Sequence, residues 1–423
     1  MKILHLSTHD IGGGAARAAY RLHTGLQNTG LQSQMLVHEK YSNDKTVIAP
    51  EIRLFQGIAK AKLTFEALPL KLYRQKKNTP FFIQWLPDRV IHQVTQINPD
   101  IINLHWISAG FMQIETFGKL KRPLVWTLHD MWAFTGGCHV TGECDRYKVS
   151  CGACPQLNSG KEWDLSRWVW QRKEQAWKNL NLTLVSPSHW LAQCARSSPL
   201  FENLQIEVIP HGLDTQKYRP INQHFAREAL NLPQDKKLIL FGAIEATSDR
   251  NKGFHLLQPA LQELSQSGWK DNLEVVIFGA SQPKNPPFLG FKTHYLGHLH
   301  DDISLATVYS AADLMLVPSL QESFGQTASE SLACSTPIVA FNSTGLKDIV
   351  DHQQNGYLAN PYEVEDLAKG ITWVLENEER LQKLSFYARE KAEREFTLEL
   401  QARRYSALFQ EILKITNKSL HSI

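Results

Sequence analysis

The sequence lacks several features that would assign it quickly to a class of protein. No uninterrupted apolar stretch is long enough to span a bilayer, and there are no internal repeats or low-complexity tracts. A net charge of +3 is too small to indicate nucleic-acid binding, and no RNA- or DNA-binding motif is present. The first residues read as a strand and not as a secretion signal, because their apolar run is short and no cleavage site follows. We therefore expect a cytoplasmic protein with reduced cysteines.

Familiar phosphate-binding and metal-binding motifs are missing as well. No Asp-x-Asp follows a predicted strand, so the sequence offers no carboxylate pair of that kind for a divalent ion. The glycine run that contains Gly13 and Gly14 follows the first predicted strand, but it is neither a G-x-G-x-x-G fingerprint nor a P-loop. Glycines between a strand and an Ala-rich helix let backbone approach a ligand closely, and a tight turn without a ligand explains them equally well.

What the chain does contain is a regular alternation of strand-like and helix-like segments. Its 423 residues exceed the usual size of one hydrophobic core, which predicts two domains. Strands are predicted at 3–6, 34–37, 101–104, 124–128, 183–185, 238–241, 274–278, 293–296, 314–317 and 337–340. Short apolar strands separated by helices predict two doubly wound, parallel-sheet α/β domains.

The domain boundaries follow from a Pro- and Gly-punctuated segment in the middle of the chain. Residues 208–220 form this predicted hinge. We expect an N-terminal domain at 1–207 with a Cys-rich loop at 138–154, and a C-terminal domain at 221–395. The remaining segment, 396–423, is expected to be largely helical.

Two glutamates form the most informative motif. Glu322 lies in a predicted loop after the strand at 314–317, and Glu330 lies about two turns into the helix that follows. At ~1.5 Å per residue, this spacing can place two acids along one elongated ligand. The amides of Phe324 and Gly325 at the helix start would add partial positive charge. A solvated helix face with a favourably placed acid is the alternative interpretation.

A basic pair precedes another predicted helix. Arg250 and Lys252 stand just before a helix that begins near Phe254, in the loop after the strand at 238–241. Open α/β sheets bind ligands at the carboxyl ends of their strands, and a cationic loop at a helix start suits a diphosphate. A solvated pair of surface side chains is the competing interpretation.

A histidine and a cluster of cysteines follow the strand at 124–128. His129 is either a site residue at the end of that strand or a structural histidine. Cys138, Cys144, Cys151 and Cys154 then fall within one short window, and the Cys151–Cys154 pair has zinc-knuckle spacing. A four-thiolate structural zinc site and reduced cysteines without metal both remain open. His139 is a substitute ligand, and an iron–sulfur cluster would have no redox chemistry to serve.

The segment 53–77 is basic and amphipathic. Its apolar residues recur at helical spacing among lysines and arginines, and Pro69 interrupts the pattern. One interpretation is a helix that covers the sheet with a solvated basic face. The other is peripheral docking on an anionic membrane surface at the inner face of the cell membrane.

Several of these motifs together resemble the retaining glycosyltransferases of family 4. The resemblance is carried by Glu-Ser-Phe-Gly, by the seven-residue gap between Glu322 and Glu330, by Lys252-Gly253 before a helix, and by Trp-Thr-Leu-His129-Asp-Met-Trp with the Cys-rich loop. It implies a GT-B fold with two Rossmann-like domains facing a cleft, and a last helix that crosses back to the first domain. Ala243 and Ile244 replace the family's arginine and leucine, so Arg250 would have to supply the missing charge.

The resemblance also implies functional roles. Glu330 would bind the ribose, Glu322 and His129 would contact the donor sugar, and Gly13, Gly14, Arg250, Lys252, Phe324 and Gly325 would border the donor phosphates. It implies metal-independent transfer, with retention, from a nucleotide-diphosphate sugar to a saccharide. A lipid-linked saccharide of cell-surface polysaccharide assembly is the expected acceptor. A degenerate sugar-nucleotide-binding protein without transferase activity is the alternative; a GT-B-fold epimerase or phosphorylase has less support.

Overall fold

Two parallel β-sheets with flanking helices make up the protein in a computed structural model, which describes residues 1–49, 62 and 64–421. Side chains are described as far as residue 418. The chain divides into unit 1, Met1–Pro210 with Gln401–Ile423, and unit 2, His211–Leu400. Each unit has one sheet, so the two-sheet α/β fold predicted from the alternation is confirmed.

The sheet of unit 1 is parallel throughout its described strands. Their order is β3-β2-β1-β4-β5-β6-β7. The strands are β1 (Lys2–His9), β2 (Gln32–Glu39), β3 (Val47–Ile48), β4 (Ile101–Leu104), β5 (Leu124–Thr127), β6 (Leu182–Ser186) and β7 (Ile206–Val208). The order reverses between β1 and β4, and such a switch point is where open α/β sheets bind ligands.

Unit 2 repeats this plan. Its described strands are parallel in the order β10-β9-β8-β11-β12-β13, and the switch point lies between β8 and β11. The strands are β8 (Lys237–Gly242), β9 (Leu273–Phe278), β10 (Thr293–Tyr295), β11 (Leu314–Val317), β12 (Ile338–Phe341) and β13 (Gly356–Ala359). The loops after β8 and β11 carry the predicted basic and acidic motifs, so the two motifs share one edge of the sheet.

Helices follow most of the strands. In chain order the helices named here are α1 (Gly14–Asn28), α2 (Val90–Ile97), α3 (Leu165–Trp177), α4 (His189–Arg196), α5 (Gln223–Ala229), α6 (Phe254–Leu264), α7 (Asp302–Ala311), α8 (Gln326–Ala333), α9 (Val364–Leu375), α10 (Glu378–Glu395) and α11 (Leu398–His421). Among the described helices, none combines the length and the apolar character needed to cross a membrane.

The helix α11 belongs to the core of unit 1 because of its apolar spacing. Ala402, Tyr405 and Phe409 recur at intervals of three and four residues, so they share one helix face, and all are fully buried. They pack with Ile3 of β1 and Val125 of β5. Burial of a large apolar side chain contributes about 1.5–3 kcal/mol, so this face binds α11 firmly to the sheet.

The strands that the sequence did not predict all lie at sheet edges. β3 and β7 are the two edges of the first sheet, and β13 is one edge of the second. They have two, three and four residues. Edge strands are often short, and a run of this length gives too little alternation to recognise from sequence.

The predicted amphipathic stretch lies partly outside the described residues. Residues 50–61 and 63 are not described, so one continuous helix over this segment stays a prediction. Beyond them, Leu68–Leu72 forms a 3₁₀ turn with Pro69 near its start, where proline needs no hydrogen-bond partner. Phe65, Leu68 and Leu72 have exposed fractions of 58%, 47% and 84%.

Candidate functional sites

The acidic motif of unit 2 begins directly after β11. Glu322 lies in the loop and Glu330 lies inside α8, as the spacing predicted. The Lys252 ammonium donates a hydrogen bond of 2.7 Å to Oε1 of Glu322, and both side chains are mostly buried. Glu330 is buried and accepts a hydrogen bond of 3.0 Å from the Tyr309 hydroxyl. The two carboxylates therefore have different partners, one a cation and the other a phenol.

Asn251 joins the basic loop to the acidic loop. Its side-chain amide donates to the Gln321 carbonyl at 2.7 Å, and its side-chain oxygen accepts from the Gln321 amide at 3.2 Å. Its own carbonyl accepts from the Leu320 amide at 2.8 Å. These three bonds set the distance between the loops, and so they place Lys252 beside Glu322.

Gly253 allows this approach. Its φ is +76°, in the left-handed region, and a Cβ at this position would lie 1.8 Å from the Pro318 carbonyl oxygen. No other residue fits without moving one loop away from the other. The Lys-Gly pair therefore has two separate purposes: the lysine supplies charge, and the glycine permits backbone contact.

A third loop, after β12, completes this part of unit 2. The Thr344 hydroxyl accepts a hydrogen bond of 3.1 Å from the Glu322 amide, and the Gly345 amide donates to the Glu322 carbonyl at 2.9 Å. A Cβ on Gly345 would lie 2.6 Å from the Ser323 carbonyl oxygen. The backbone of Glu322 is thus fixed on both sides, which restricts where its carboxylate can point.

The other predicted residues of unit 2 are Arg250, Phe324 and Gly325. Arg250 is exposed and occupies the same short turn as Lys252. Burial, and then the positive charge of Arg250, lower the pKa of His255. The Phe324 side chain is buried edge-on against His211 and Phe396, so its backbone alone is available to a ligand. Gly325, with φ +108°, immediately precedes the first residue of α8.

The glycine run of unit 1 follows β1 at the switch point of the first sheet. Gly13 has a φ of +91° and precedes α1, whose first residue is Gly14. Asp10 fixes the turn, because its carboxylate accepts hydrogen bonds from the amides of Ile11, Tyr41 and Ser42 at 2.8–3.0 Å. Burial alone would raise the pKa of Asp10, but a hydrogen bond from the Ser42 side chain, together with these amide bonds, outweighs burial and lowers the pKa.

His129 follows β5 and borders a small cavity. The cavity is also lined by His105, Trp106, Asp130 and Trp132. His129 Nε2 lies 3.0 Å from His105 Nδ1, and burial lowers the pKa of His129 to about 3, so the ring is neutral near pH 7. Asp130 accepts hydrogen bonds from the Trp106 indole and from the Trp132 amide, which hold its carboxylate beside the cavity wall.

The four clustered cysteines border one cavity but are not arranged to hold a metal ion. Cys138, Cys144, Cys151 and Cys154 all line it, and each is a free thiol. Within the part of the chain that the structure describes, no group of three or more His, Cys, Asp or Glu side chains is placed to hold a metal. The structure therefore supports the clustering and not the zinc geometry, and bound zinc remains a prediction.

A buried lysine lies next to this cluster. Lys173 of α3 donates hydrogen bonds to the carbonyls of Trp132 and Thr135, and its ammonium lies 3.6 Å from the centre of the Trp132 ring. Burial lowers the pKa of Lys173 to about 7, although the neighbouring thiols oppose this shift. Nothing in the sequence indicated that Lys173 is buried, because a lysine in an amphipathic helix normally faces solvent.

Other important residues were missed for similar reasons. Tyr309 and Asn251 are ordinary residues in the sequence, and their partners are 21 and 70 positions away. The one available signal was their position: Asn251 stands between the two predicted cationic residues. Partners so distant in sequence become neighbours only when the sheet brings the ends of its strands together.

The fold and these sites define a class. Two Rossmann-like parallel-sheet domains form the fold of the GT-B glycosyltransferases. Solved structures with this fold match the chain over nearly its whole length. A sucrose-phosphate synthase from Thermosynechococcus elongatus matches 98% of this chain and 100% of its own, with a TM-score of 0.68 and 20% identity. Anabaena HepE, solved in complex with UDP and glucose, matches 97% of this chain and 99% of its own, with a TM-score of 0.65 and 17% identity. At these identities the likeness concerns the fold alone.

Two family models place the chain more narrowly. Residues 12–217 match the model described as Glycosyltransferase Family 4, and residues 222–391 match the model described as Glycosyl transferases group 1. The chain belongs to glycosyltransferase family 4. A D-inositol 3-phosphate glycosyltransferase of Segniliparus rotundus is 33% identical over 187 residues, which are 42% of this chain and 40% of that protein. The chain spans about half the length of the curated relatives it matches.

Proposed function

We propose that this protein transfers a sugar from a nucleotide-diphosphate sugar to a saccharide acceptor. The observation that carries the proposal is the arrangement at the switch point of unit 2. There a lysine, a glycine that permits close backbone contact and Glu322 lie on loops that Asn251 joins, and Glu330 lies in the helix α8 that follows. The family models and the solved relative that holds UDP and glucose support a nucleotide-sugar donor.

The proposed chemistry follows from the charges. Lys252, the amides at the start of α8 and Arg250 would neutralise the diphosphate, so that no metal ion is needed. Glu330 would accept hydrogen bonds from two ribose hydroxyls. Tyr309 already donates to one of its oxygens, which fixes the carboxylate before the ligand arrives.

Transfer would proceed with retention at the anomeric carbon. The leaving diphosphate oxygen would take the acceptor's proton on the same face of the sugar. Glu322 and His129 would orient the sugar instead of acting as a formal acid and base, consistent with a neutral His129 ring. Gly13 and Gly14 would let backbone border the phosphates and the acceptor.

The acceptor is proposed to be a lipid-linked saccharide of cell-surface polysaccharide assembly. Exposed Phe65, Leu68 and Leu72 lie close in sequence to Lys71 and Arg74, and apolar side chains flanked by cations suit an anionic lipid surface. Sedimentation with vesicles that contain anionic lipid should deplete the wild type and leave Leu72→Ser in solution. Equal, negligible binding to anionic and neutral vesicles would remove the membrane contact from the proposal.

The alternative function is a sugar-nucleotide-binding protein without transferase activity. It is favoured by Ala243, which stands where the family has an arginine. Hydrolysis of the donor distinguishes the two: an enzyme should slowly release free sugar without an acceptor, and a binding protein should not.

The experiment that tests donor binding is a thermal-shift screen. UDP, GDP, ADP and their common sugar conjugates would be added to wild type, Glu330→Ala and the control Glu379→Ala, in which an exposed glutamate of the same unit is truncated. A ligand at 100 times its Kd stabilises the folded protein by about 2.7 kcal/mol. We expect a shift with one nucleotide series that Glu330→Ala weakens and Glu379→Ala retains. No shift with any compound would exclude the transferase.

A further inference from the structure

Aromatic rings form a continuous row at the carboxyl edge of the sheet of unit 1. The ring centres of Tyr41 and His9 are 5.8 Å apart, and His9 stacks on Trp106 with centres 6.1 Å apart. Phe82 meets Trp106 edge-on at 5.4 Å. His9 ends β1, Tyr41 lies two residues past β2, and Trp106 lies two residues past β4. These three strands are adjacent in the sheet, so the aromatic row lies where open α/β sheets bind ligands.

Tyr41 is the exposed end of the aromatic row, yet its position is fixed. Its exposed fraction is 59%. Its amide donates a hydrogen bond to the Asp10 carboxylate at 2.9 Å, and its hydroxyl donates to Oε2 of Glu39 at 2.6 Å. Exposed side chains usually lose rotational freedom when a ligand binds, which costs free energy. A ring that is already held at its backbone and at its hydroxyl avoids much of that cost.

Gly12, in the glycine run after β1, gives the Tyr41 ring its place. A Cβ on Gly12 would lie 3.3 Å from Cε2 and 3.7 Å from Cδ2 of the ring, and 3.6 Å from Cβ of His9. This edge of the ring therefore lies against the glycine run, while more than half of the residue is exposed to solvent. An aromatic ring in this situation presents a flat apolar surface to a ligand.

Carboxylates border the aromatic row. Oε2 of Glu39 lies 3.6 Å from Nδ1 of His9, and the Glu39 side chain is 42% exposed. Burial lowers the pKa of His9, although the charges of Glu39 and Asp10 oppose the shift, so the His9 ring is neutral at pH 7. The contribution of these three residues to the local charge is therefore negative. Carboxylates accept hydrogen bonds from hydroxyl groups and repel phosphate or another anion.

Trp106 connects the aromatic row to the cavity that His129 borders. It lines that cavity, and its indole N–H donates to Oδ2 of Asp130 at 3.0 Å. The amide and the hydroxyl of Thr8 both donate to the Trp106 carbonyl, at 2.7 Å and 3.0 Å, which fixes Trp106 beside His9. A ligand on the aromatic row would therefore extend from the glycine run towards the cavity of His129.

We propose that the aromatic row is a subsite for a neutral saccharide, in which a pyranose ring stacks its C–H groups on Tyr41 and donates hydroxyl protons to Glu39. The C–H groups carry partial positive charge and the face of an aromatic ring carries partial negative charge, so the two attract each other. Apolar surfaces with a few placed polar groups are the usual composition of a small-ligand site. The inference rests on the proposed function for the identity of this saccharide as the acceptor. Binding of the saccharide itself can be measured without donor and without turnover.

The test is saturation-transfer NMR of the full chain with neutral methyl glycosides. The panel contains the α- and β-methyl glycosides of glucose, galactose, mannose and N-acetylglucosamine, and the aromatic protons of the protein are saturated. We expect transfer to the C–H protons on one face of the pyranose ring in at least one glycoside, because that face lies on the aromatic row. Absence of transfer from the wild type to every glycoside of the panel would overturn the proposal.

Variants of Tyr41 test whether its ring makes the contact. Tyr41→Ala should raise the Kd of the best-binding glycoside roughly 3- to 10-fold, the size of one aromatic contact. Tyr41→Phe keeps the ring and should restore most of the affinity. The control is Tyr387→Ala, which truncates an exposed tyrosine of unit 2 that also contacts a second ring, and its Kd should equal that of the wild type. Equal Kd values in the wild type and in folded Tyr41→Ala would overturn the proposal.

Glu39→Gln tests the hydroxyl contact. The variant keeps an acceptor for the Tyr41 hydroxyl and removes the charge, so the Kd should rise several-fold, because charge-assisted hydrogen bonds are stronger than neutral ones. An unchanged Kd in Glu39→Gln would remove Glu39 from the subsite.

Nucleotide binding separates this inference from the proposed function. Glycoside binding that depends on Tyr41, in a protein that no nucleotide stabilises, would leave the subsite intact and remove the transferase. A thermal shift with one nucleotide series, together with equal glycoside affinities in the wild type and Tyr41→Ala, would remove the subsite and leave the transferase.

Discussion

The Lys252 ammonium and the Glu322 carboxylate form an ion pair at 2.7 Å in which both groups are predicted to bind the donor. Burial alone would lower the pKa of Lys252, but the negative charge of Glu322 and its hydrogen bond outweigh burial and raise the pKa, so the lysine is fully charged at neutral pH. In the proposed function, a donor phosphate would take the place on Lys252 that the Glu322 carboxylate occupies. The Glu322 carboxylate and a donor phosphate would therefore compete for the Lys252 ammonium.

This competition predicts opposite effects of two substitutions. Glu322→Gln keeps the shape and removes the charge, so bare nucleoside diphosphate should bind several-fold more tightly while transfer falls. Lys252→Met should weaken binding of the same nucleotide on the order of tenfold or more, because a charge-assisted bond is lost. Isothermal titration with the nucleotide measures both. Weaker nucleotide binding in Glu322→Gln would contradict the competition.

Tyr309→Phe removes the hydroxyl that donates to Glu330 and little else. Nucleotide affinity should fall several-fold and the unfolding free energy by about 1 kcal/mol, since one buried hydrogen bond is lost. Tyr357→Phe is a matched control, because Tyr357 donates to Asp366 at 3.0 Å in the same unit. The control should change stability without changing nucleotide affinity. Equal nucleotide affinities in both variants and wild type would show that Tyr309 does not position the ribose site.

Gly253→Ala should disrupt the contact between the loops after β8 and β11. Gly268→Ala is the matched control, since Gly268 has φ +90° and nothing lies within 4 Å of an added Cβ. The control should cost about 1–2 kcal/mol from backbone strain alone. Gly253→Ala should cost more, because its Cβ would overlap the Pro318 carbonyl, and nucleotide binding should be lost. Urea unfolding measures the difference; equal costs would contradict the predicted overlap.

His23 predicts how stability depends on pH. Its ring nitrogens lie 2.7 Å from the Ser33 hydroxyl and 2.8 Å from the Thr46 hydroxyl, and burial lowers its pKa to about 4. The unfolded chain, with a pKa near 6.5, then binds the extra proton first, so stability falls as pH decreases from about 6.5 to 4.

The slope from this group should approach about 1.4 kcal/mol per pH unit inside that window. His23→Gln should remove it from the unfolding free energies measured by urea titration between pH 7 and pH 4. The control is His92→Gln, at an exposed position of the same unit. An unchanged slope in His23→Gln would show that His23 does not carry this dependence.

Elemental analysis tests the zinc prediction. Protein purified without chelators should contain close to one zinc per chain if the four cysteines bind it, and Cys151→Ser should lose the metal because a thiolate is lost. Cys334→Ser is the control, since Cys334 is a buried cysteine of unit 2 outside the cluster. Less than about half a zinc per wild-type chain would support reduced thiols without metal.

The sequence predicted the architecture well because apolar strands alternate with helices over most of the chain. Ile101–Leu104 and Leu314–Val317 were predicted with the bounds that the structure shows. Edge strands such as β3 were missed, since two residues give no periodicity. The fold therefore follows from local patterns wherever a strand is long and buried.

The candidate sites were predicted only in part. The spacing of Glu322 and Glu330 located the acidic motif, and resemblance supplied the proposed roles. Nothing local indicated that Asn251 joins two loops or that His105 contacts His129, because both relationships depend on strand order.

The assignment of residues 401–423 to unit 1 has a consequence for synthesis. The residues of unit 2 are contiguous and leave the ribosome before the residues of α11 that belong to unit 1. During that interval Ile3 and Val125, on the sheet face that α11 covers, lack their packing partners Tyr405 and Phe409. Unit 2 can acquire its structure cotranslationally, whereas unit 1 must keep an apolar surface until α11 emerges. We therefore expect the nascent chain to expose an apolar surface, of the kind that chaperones bind, in the part of the protein that is made first.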